Sequence, residues 1–332
     1  MLDYPWLTPL YDHLVQQHQQ ARGHHAQLIM TPPGCGSERL LARVAQWLLC
    51  QQRQAEQPCS HCHACTLMAV HHHPDYHLIR LESGKQQLTI EQIRTVLPSI
   101  YQRAQQGGAK VIGLLDSERL SESAANALLK ALEEPPPATY FLLVCRTGAT
   151  LPITLRSRCQ HWSLDTPALP EAIAWLQSQD PTVMASQATT ALHLSLGAPL
   201  AALALLKAGG LQQYTALLQD LQRALQQRDL LLVLPHLDHN NVHSALYWLA
   251  TVWLAALKQQ WQVADVRQAC EQRQLLSTLA TTFTPEQLQA CCQRTLRCRH
   301  TLLILPSVNQ TLLLTELLCR QQEVLYSPYH RQ

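Results

Sequence analysis

Residues 110–145 read KVIGLLDSERLSESAANALLKALEEPPPATYFLLVC, and this stretch decides the fold. Lys110 to Leu115 is a short apolar run that ends at Asp116. Ser121 to Leu132 reads as a helix stopped by Pro135-Pro136-Pro137, because proline lacks the N–H and its ring clashes with the preceding turn. Tyr140 to Cys145 is again apolar throughout. Continuous apolar strands alternating with helices predict a parallel sheet covered on both faces, the α/β class.

The same alternation extends outward. Upstream, Leu7 to Gln20 reads as an amphipathic helix and Ala26 to Met30 as a strand. That strand runs into a turn, Thr31-Pro32-Pro33-Gly34-Cys35-Gly36, with Ser37 placed to cap a helix over Glu38 to Leu49. Tyr76 to Leu81 is the next strand, and Thr89 with Gln92 forms a capping box for the helix before Gly107-Gly108. Downstream, a last strand is expected near His161-Trp162-Ser163. After Pro167 only helical patterns remain, Leu-rich and Gln-rich, for example Val242 to Leu257 and Pro285 to Leu305. The expected division is an α/β domain over 1–166, a small helical domain over 167–208 and an all-α domain over 209–332, with Gly209-Gly210 at the second boundary.

Composition excludes several function classes. Of 332 residues, 47% are hydrophobic, which rules out a disordered chain. Only 14% are charged and the net charge is +2, so no strong basic field points at nucleic acid. Aromatics at 5% argue against a stacking platform for single strands. No apolar run reaches the ~20 residues of a membrane span. Met1-Leu2-Asp3-Tyr4-Pro5 lacks the basic and apolar regions of a secretory leader, so a cytoplasmic location is expected. In such a chain the 12 cysteines are not a disulfide framework, and clustered ones read as metal ligands.

Cys50, Cys59, Cys62 and Cys65 give C-x8-C-x2-C-x2-C. A C-x2-C pair lets two thiolates grip one tetrahedral ion, and two further thiolates close a structural zinc site. The surrounding segment is too polar to bury four cysteines without a metal. An iron–sulfur cluster, His61 or His63 replacing one cysteine, and four unrelated thiols are the alternatives. His71, His72 and His73, ahead of Pro74-Asp75, are expected in an exposed loop.

The strand–turn–helix at 26–49 is the context of a phosphate-binding loop, G-x-x-x-x-G-K-[ST]. Here Thr31 stands at the first glycine, Gly36 at the second, Ser37 at the lysine and Glu38 at the hydroxyl that ligates magnesium. Nothing then reaches the β- and γ-phosphates, and a carboxylate repels them. Asp116 ends its strand where a magnesium-binding aspartate would stand, but Ser117 follows it, and Glu118 lies one place beyond the usual water-polarising glutamate.

Asn126-Ala127-Leu128-Leu129-Lys130-Ala131-Leu132-Glu133-Glu134-Pro135-Pro136, together with Ser157-Arg158-Cys159, resembles the clamp-loader branch of the AAA+ ATPases. The four-cysteine insert and the opening Tyr4-Pro5-Trp6-Leu7 are similar to the bacterial members, which serve DNA polymerase III. The resemblance implies an AAA+ domain with a zinc module, a helical lid and a helical collar that carries oligomerisation. It further implies a ring-like hetero-pentamer with gamma/tau and delta subunits that loads the sliding clamp on primed DNA. ATP sites in such a ring lie between neighbours, each completed by the next subunit's S-R-C arginine, which makes Arg158 the candidate arginine finger in trans. Motor subunits keep the loop lysine and an arginine in a G-x-x-R motif, whereas this chain has Ser37 and, in Gly197-Ala198-Pro199-Leu200, Leu200. The resemblance thus implies a subunit of a DNA-directed DNA polymerase holoenzyme with no ATPase of its own and no ATP bound by this chain. An active AAA+ ATPase and a zinc-ribbon nucleic-acid-binding protein are the alternative functions. For Arg158 the alternative is an internal ion pair or a helix cap, and Arg156 is expected to be structural or to touch DNA.

Overall fold

The computed structural model describes residues 4–82, 84–149, 151–237, 241–263, 273–305 and 308–326. Of the opening segment read above for a leader, residues 1–3 lie outside the described residues. The chain divides into two compact units, Met1–Ala168 with Ala198–Ala201, and Leu169–Gly197 with Ala202–Gln332.

The first unit holds strands β1 (Ala26–Thr31), β2 (Tyr76–Ile79), β3 (Lys110–Leu114), β4 (Thr139–Arg146) and β5 (Gln160–Ser163). Its helices are α1 (Thr8–Gln19), α2 (Ser37–Leu49), α3 (His63–Ala69), α4 (Ile90–Tyr101), α5 (Glu122–Glu133) and α6 (Ile153–Arg156). The sheet is parallel throughout, in the order β2-β3-β4-β1-β5. The central strands β3 and β4 are buried almost end to end because helices cover both faces, while the edge strand β5 alternates between half-buried and exposed. In register, Leu28 of β1 lies opposite Leu143 of β4 and His161 of β5, and Thr31 lies opposite Arg146. Every crossover therefore delivers a strand end to the same edge, where ligands bind in open α/β sheets.

Local chemistry sets the helix starts. Thr89 and Gln92 make the expected capping box at α4, with the Thr89 N–H donating to Gln92 Oε1 at 3.0 Å. Ser121 caps α5 by accepting from the Ala124 N–H at 3.3 Å. Ser37, expected to cap α2, is instead its first residue; the cap position belongs to Gly36 in the left-handed region, with no side-chain bond. Buried Lys110 donates to the carbonyls of Ile100 and Gln102 and so satisfies the end of α4.

The second unit holds α7 (Leu169–Gln179), α8 (Ala185–Leu194) and, from Ala202 on, α9 (Pro199–Lys207). They are followed by α10 (Gly210–Gln227), α11 (Val242–Gln260), α12 (Arg273–Thr282), α13 (Pro285–Ile304) and α14 (Gln310–Tyr326). No strand occurs among the described residues after Ser163. Tyr214, Leu246, Trp253, Leu276, Leu288 and Leu318 are among the residues of one apolar core, with α11 supplying the largest share. The buried Gln321 amide donates to the Cys291 carbonyl at 2.9 Å and Thr295 Oγ1 at 2.8 Å, so a polar side chain stitches α14 to α13. Among the described residues no single helix is long and apolar enough to cross a membrane.

Candidate functional site

The turn between β1 and α2, read above as a degenerate phosphate loop, is covered by the chain itself. Gly34 and Gly36 sit at φ +87° and +85°, a region that penalises a Cβ. A Cβ on Gly36 would lie 2.7 Å from Tyr4 Cδ2, and one on Gly34 would lie 2.7 Å from Ala201 Cβ. Tyr4 stacks on Trp6 with ring centroids 5.3 Å apart, and Trp6 Nε1 donates to the Cys35 carbonyl at 2.8 Å. The Leu200 N–H donates to the Gly34 carbonyl at 3.0 Å. Leu200 lines a cleft of about 650 Å³ together with Gly36 and Glu38. Glu38 lies 3.7 Å from Arg80 in an exposed ion pair. Thr31 is buried at the end of β1, and its hydroxyl donates to the adjacent Pro32 carbonyl at 3.2 Å.

The carboxylate half of the site is occupied by a cation from the chain, which sequence reasoning missed. Arg146 ends β4, and its guanidinium lies 3.8 Å from Asp116 Oδ1 and 3.1 Å from Glu118 Oε1. Its main-chain N–H also donates to Glu118 Oε2 at 3.3 Å. Asp116 holds a left-handed conformation at φ +52°, and Ser117 turns inward, fully buried, to donate to the Leu114 carbonyl. The one signal available in the sequence was an arginine terminating a wholly apolar strand.

Arg158 follows α6. One terminal nitrogen donates to the Thr154 carbonyl at 2.7 Å and Ser157 Oγ at 3.3 Å, and the other pairs with Glu133 Oε1. The ion pair and helix cap weighed above are thus both present within this chain, with the side chain 32% exposed. Burial raises the neighbouring Cys159 thiol to about 11, which removes it as a nucleophile. Arg156 is exposed, and its carbonyl accepts from His161 Nε2 at 2.8 Å.

The four predicted cysteines converge. Cys50 closes α2, Cys62 opens α3, Cys65 lies within α3 and Cys59 sits in the loop between. Their sulfurs all lie within 4.8 Å of one another, with Cys50–Cys59 at 3.5 Å, Cys50–Cys62 at 3.9 Å and Cys59–Cys65 at 4.0 Å. Ligand bonds of ~2.3 Å in a tetrahedron put sulfurs roughly 3.8 Å apart, so the group fits one ion. The Cys59 and Cys62 N–H groups each donate to a cluster sulfur at 3.3 Å. Burial alone would raise the Cys62 thiol, but main-chain and thiol hydrogen bonds bring it down to about 6, which favours thiolate. His61 turns its ring to the Cys59 carbonyl and Gln52, and among the described residues the group that could hold a metal ion consists of the four cysteines alone. His71 and His72 are exposed as expected; His73 is instead buried, its Nδ1 accepting from the Asp75 N–H at 3.1 Å.

Three family models match in succession. Residues 6–168 match "DNA polymerase III, delta subunit", residues 167–207 match "DNA polymerase III subunit delta', AAA+ ATPase lid domain", and residues 208–323 match "DNA polymerase III, delta subunit, C terminal". DNA polymerase III subunit delta' of Yersinia pestis is 42% identical over 330 residues, covering 97% of this chain and 96% of that one. This chain belongs to the DNA polymerase III subunit delta' family. The Escherichia coli delta' subunit is 39% identical over 322 residues, covering 97% of this chain and 96% of its own length. A solved DNA polymerase III gamma-subunit-related protein of Thermotoga maritima aligns at a TM-score of 0.45 and 17% identity, over 96% of this chain and 99% of its own. The expected clamp-loader membership, and the order of an α/β AAA+ domain, a lid and a helical C-terminal domain, hold for this delta' family member.

Proposed function

We propose that this delta' family member is the non-hydrolysing subunit of its clamp loader and supplies Arg158 in trans to the ATP site of a neighbouring gamma/tau subunit. The observation that carries this reading is Arg146 lying against Asp116 and Glu118. A motor subunit needs a magnesium ion at the position of Asp116, and here a guanidinium lies beside that carboxylate and Glu118. Ser37 and Glu38, which replace the lysine and hydroxyl of a working loop, and Tyr4 on Gly36 act in the same direction.

With no working site of its own to serve, an arginine in the S-R-C motif gains a role across an interface. A guanidinium that stabilises charge developing on a transferred phosphoryl group is worth roughly 10³–10⁵ in rate. Residues 1–166 would act as the AAA+ domain, 167–208 as the lid and 209–332 as the collar that joins the gamma/tau and delta subunits in a hetero-pentamer. The sliding clamp and primed DNA would be engaged through that complex. Cys50, Cys59, Cys62 and Cys65 would hold one structural zinc, which ties the end of α2 to α3 and takes no part in chemistry.

Equilibrium dialysis of the isolated chain against ATP and magnesium tests the reading. The expected result is no saturable binding at micromolar ATP, with weak anion binding at the start of α2 tolerated. Saturable micromolar binding would contradict it.

A further inference from the structure

Glu133 is the last residue of α5 and is followed by Glu134. A carboxylate there faces the negative end of the helix dipole, an unfavourable place for an anion. Glu122, in the first turn of the same helix, has the favourable placement. What compensates Glu133 is Arg158, which comes from a different element and divides its fork. One terminal nitrogen is anchored to the Thr154 carbonyl, and the other is given to the carboxylate.

Carboxylate and phosphoryl oxygens compete for the same guanidinium N–H donors, and both can be gripped by the fork. The Glu133 pair is partly exposed, at 32% and 47% for the two side chains, so it exchanges with water and competing anions at little cost. The Thr154 bond is independent of Glu133 and keeps the side chain tethered when the carboxylate lets go.

We propose that Glu133 is a positioning residue that parks Arg158 within this chain and releases it to a phosphate presented by a neighbouring subunit. The inference rests on the reading of Arg158 as a finger in trans. Parking lowers the fraction of time that the finger is available, and so restrains hydrolysis until assembly on DNA brings the phosphate close enough to displace the carboxylate.

The test uses reconstituted complexes carrying the full chain as parent, Glu133→Gln, Glu133→Asp, Arg158→Ala and the Glu133→Gln/Arg158→Ala double variant, at equal incorporation. Steady-state ATPase is read with and without clamp and primed DNA. Glu133→Gln is expected to raise DNA-independent hydrolysis at the one site that Arg158 serves about 2- to 5-fold, the size expected from losing an exposed ion pair, and so to raise the total DNA-independent rate measurably but by less, while the DNA-stimulated rate stays at the parent level. Glu133→Asp restores restraint, and the rise vanishes in the double variant. An unchanged or lower DNA-independent rate for Glu133→Gln, or a rise that persists without Arg158, overturns the parking role. If Arg158→Ala alone leaves every rate unchanged, the finger reading itself fails, a result distinct from failure of the Glu133 role.

Discussion

Arg146 binds Glu118 through two parts of the same residue: its Nε lies 3.1 Å from Oε1, and its main-chain N–H donates to Oε2 at 3.3 Å. Glu118 Oε1 is buried without an aligned hydrogen bond, so that contact is held by charge. Glu118 is only 9% exposed, so this partner offsets the cost of burying its carboxylate.

Arg146→Ala leaves that carboxylate uncompensated beside Asp116. Breaking a buried pair by removing one partner is costly, but Arg146 is half exposed and water moderates the loss. The expected loss is about 1 kcal/mol, a fall in melting temperature of about 2–4 °C for a unit of this size. Adding Glu118→Gln removes the stranded charge and restores most of the stability. A melting temperature for Arg146→Ala equal to that of the parent would show that the contact contributes nothing.

His18 makes stability fall in mild acid. Its ring packs edge-on to Tyr140, with centroids 5.2 Å apart, and burial together with nearby Arg53 lowers its pKa to about 4. The folded state keeps the ring neutral while the unfolded chain takes up a proton below about 6.5. The unfolded state thus binds more protons, so stability is full above that pH and declines as the pH falls toward 4. His18→Gln, which stays uncharged, is expected to flatten the decline between pH 6.5 and 4 by up to one proton, read from urea unfolding at several pH values. Identical slopes for the two proteins would refute the assignment. The lowered values of His25, His73, His77 and His243 act equally in both and cancel.

Freshly purified, reduced protein is expected to contain one equivalent of zinc by elemental analysis, and Cys62→Ser to lose it. Removing the metal with a chelator should speed amide exchange over residues 50–65 and leave β1, β3 and β4 protected, because the cluster lies outside the sheet. Metal content unchanged in Cys62→Ser would show that the ligand set is wrong.

How much of this could be read from the sequence depended on how local the determining contacts are. β3 and β4 were legible because strands covered on both faces are continuously apolar, and the four cysteines because their spacing is short. The start of α2 was misread: a serine before a helix suggests a side-chain cap, but the left-handed Gly36 makes the turn instead. The departures from the phosphate-loop pattern were legible as residue types at 37 and 38. The Arg146 contacts were not, because they are assembled by register. Arg146 reaches Asp116 and Glu118 only once β4 lies beside β3, and Glu133 meets Arg158 only once α6 packs against α5. His73 does lie in a loop, as expected, but is buried there with its Nδ1 accepting from the Asp75 N–H, which the exposed His71 and His72 beside it do not signal.

The central claim is that this chain serves a neighbour's ATP site through Arg158, and DNA-stimulated ATPase of a reconstituted complex carrying Arg158→Ala tests it most directly. Assembly, checked by size-exclusion chromatography, should remain intact. Total hydrolysis should fall partially, since one site of several loses its arginine, with clamp loading reduced more, and Arg158→Lys should rescue poorly because lysine lacks the planar fork. Parent-level ATPase and clamp loading in a fully assembled Arg158→Ala complex would contradict the account and leave Arg158 as the partner of Glu133 and Thr154 alone.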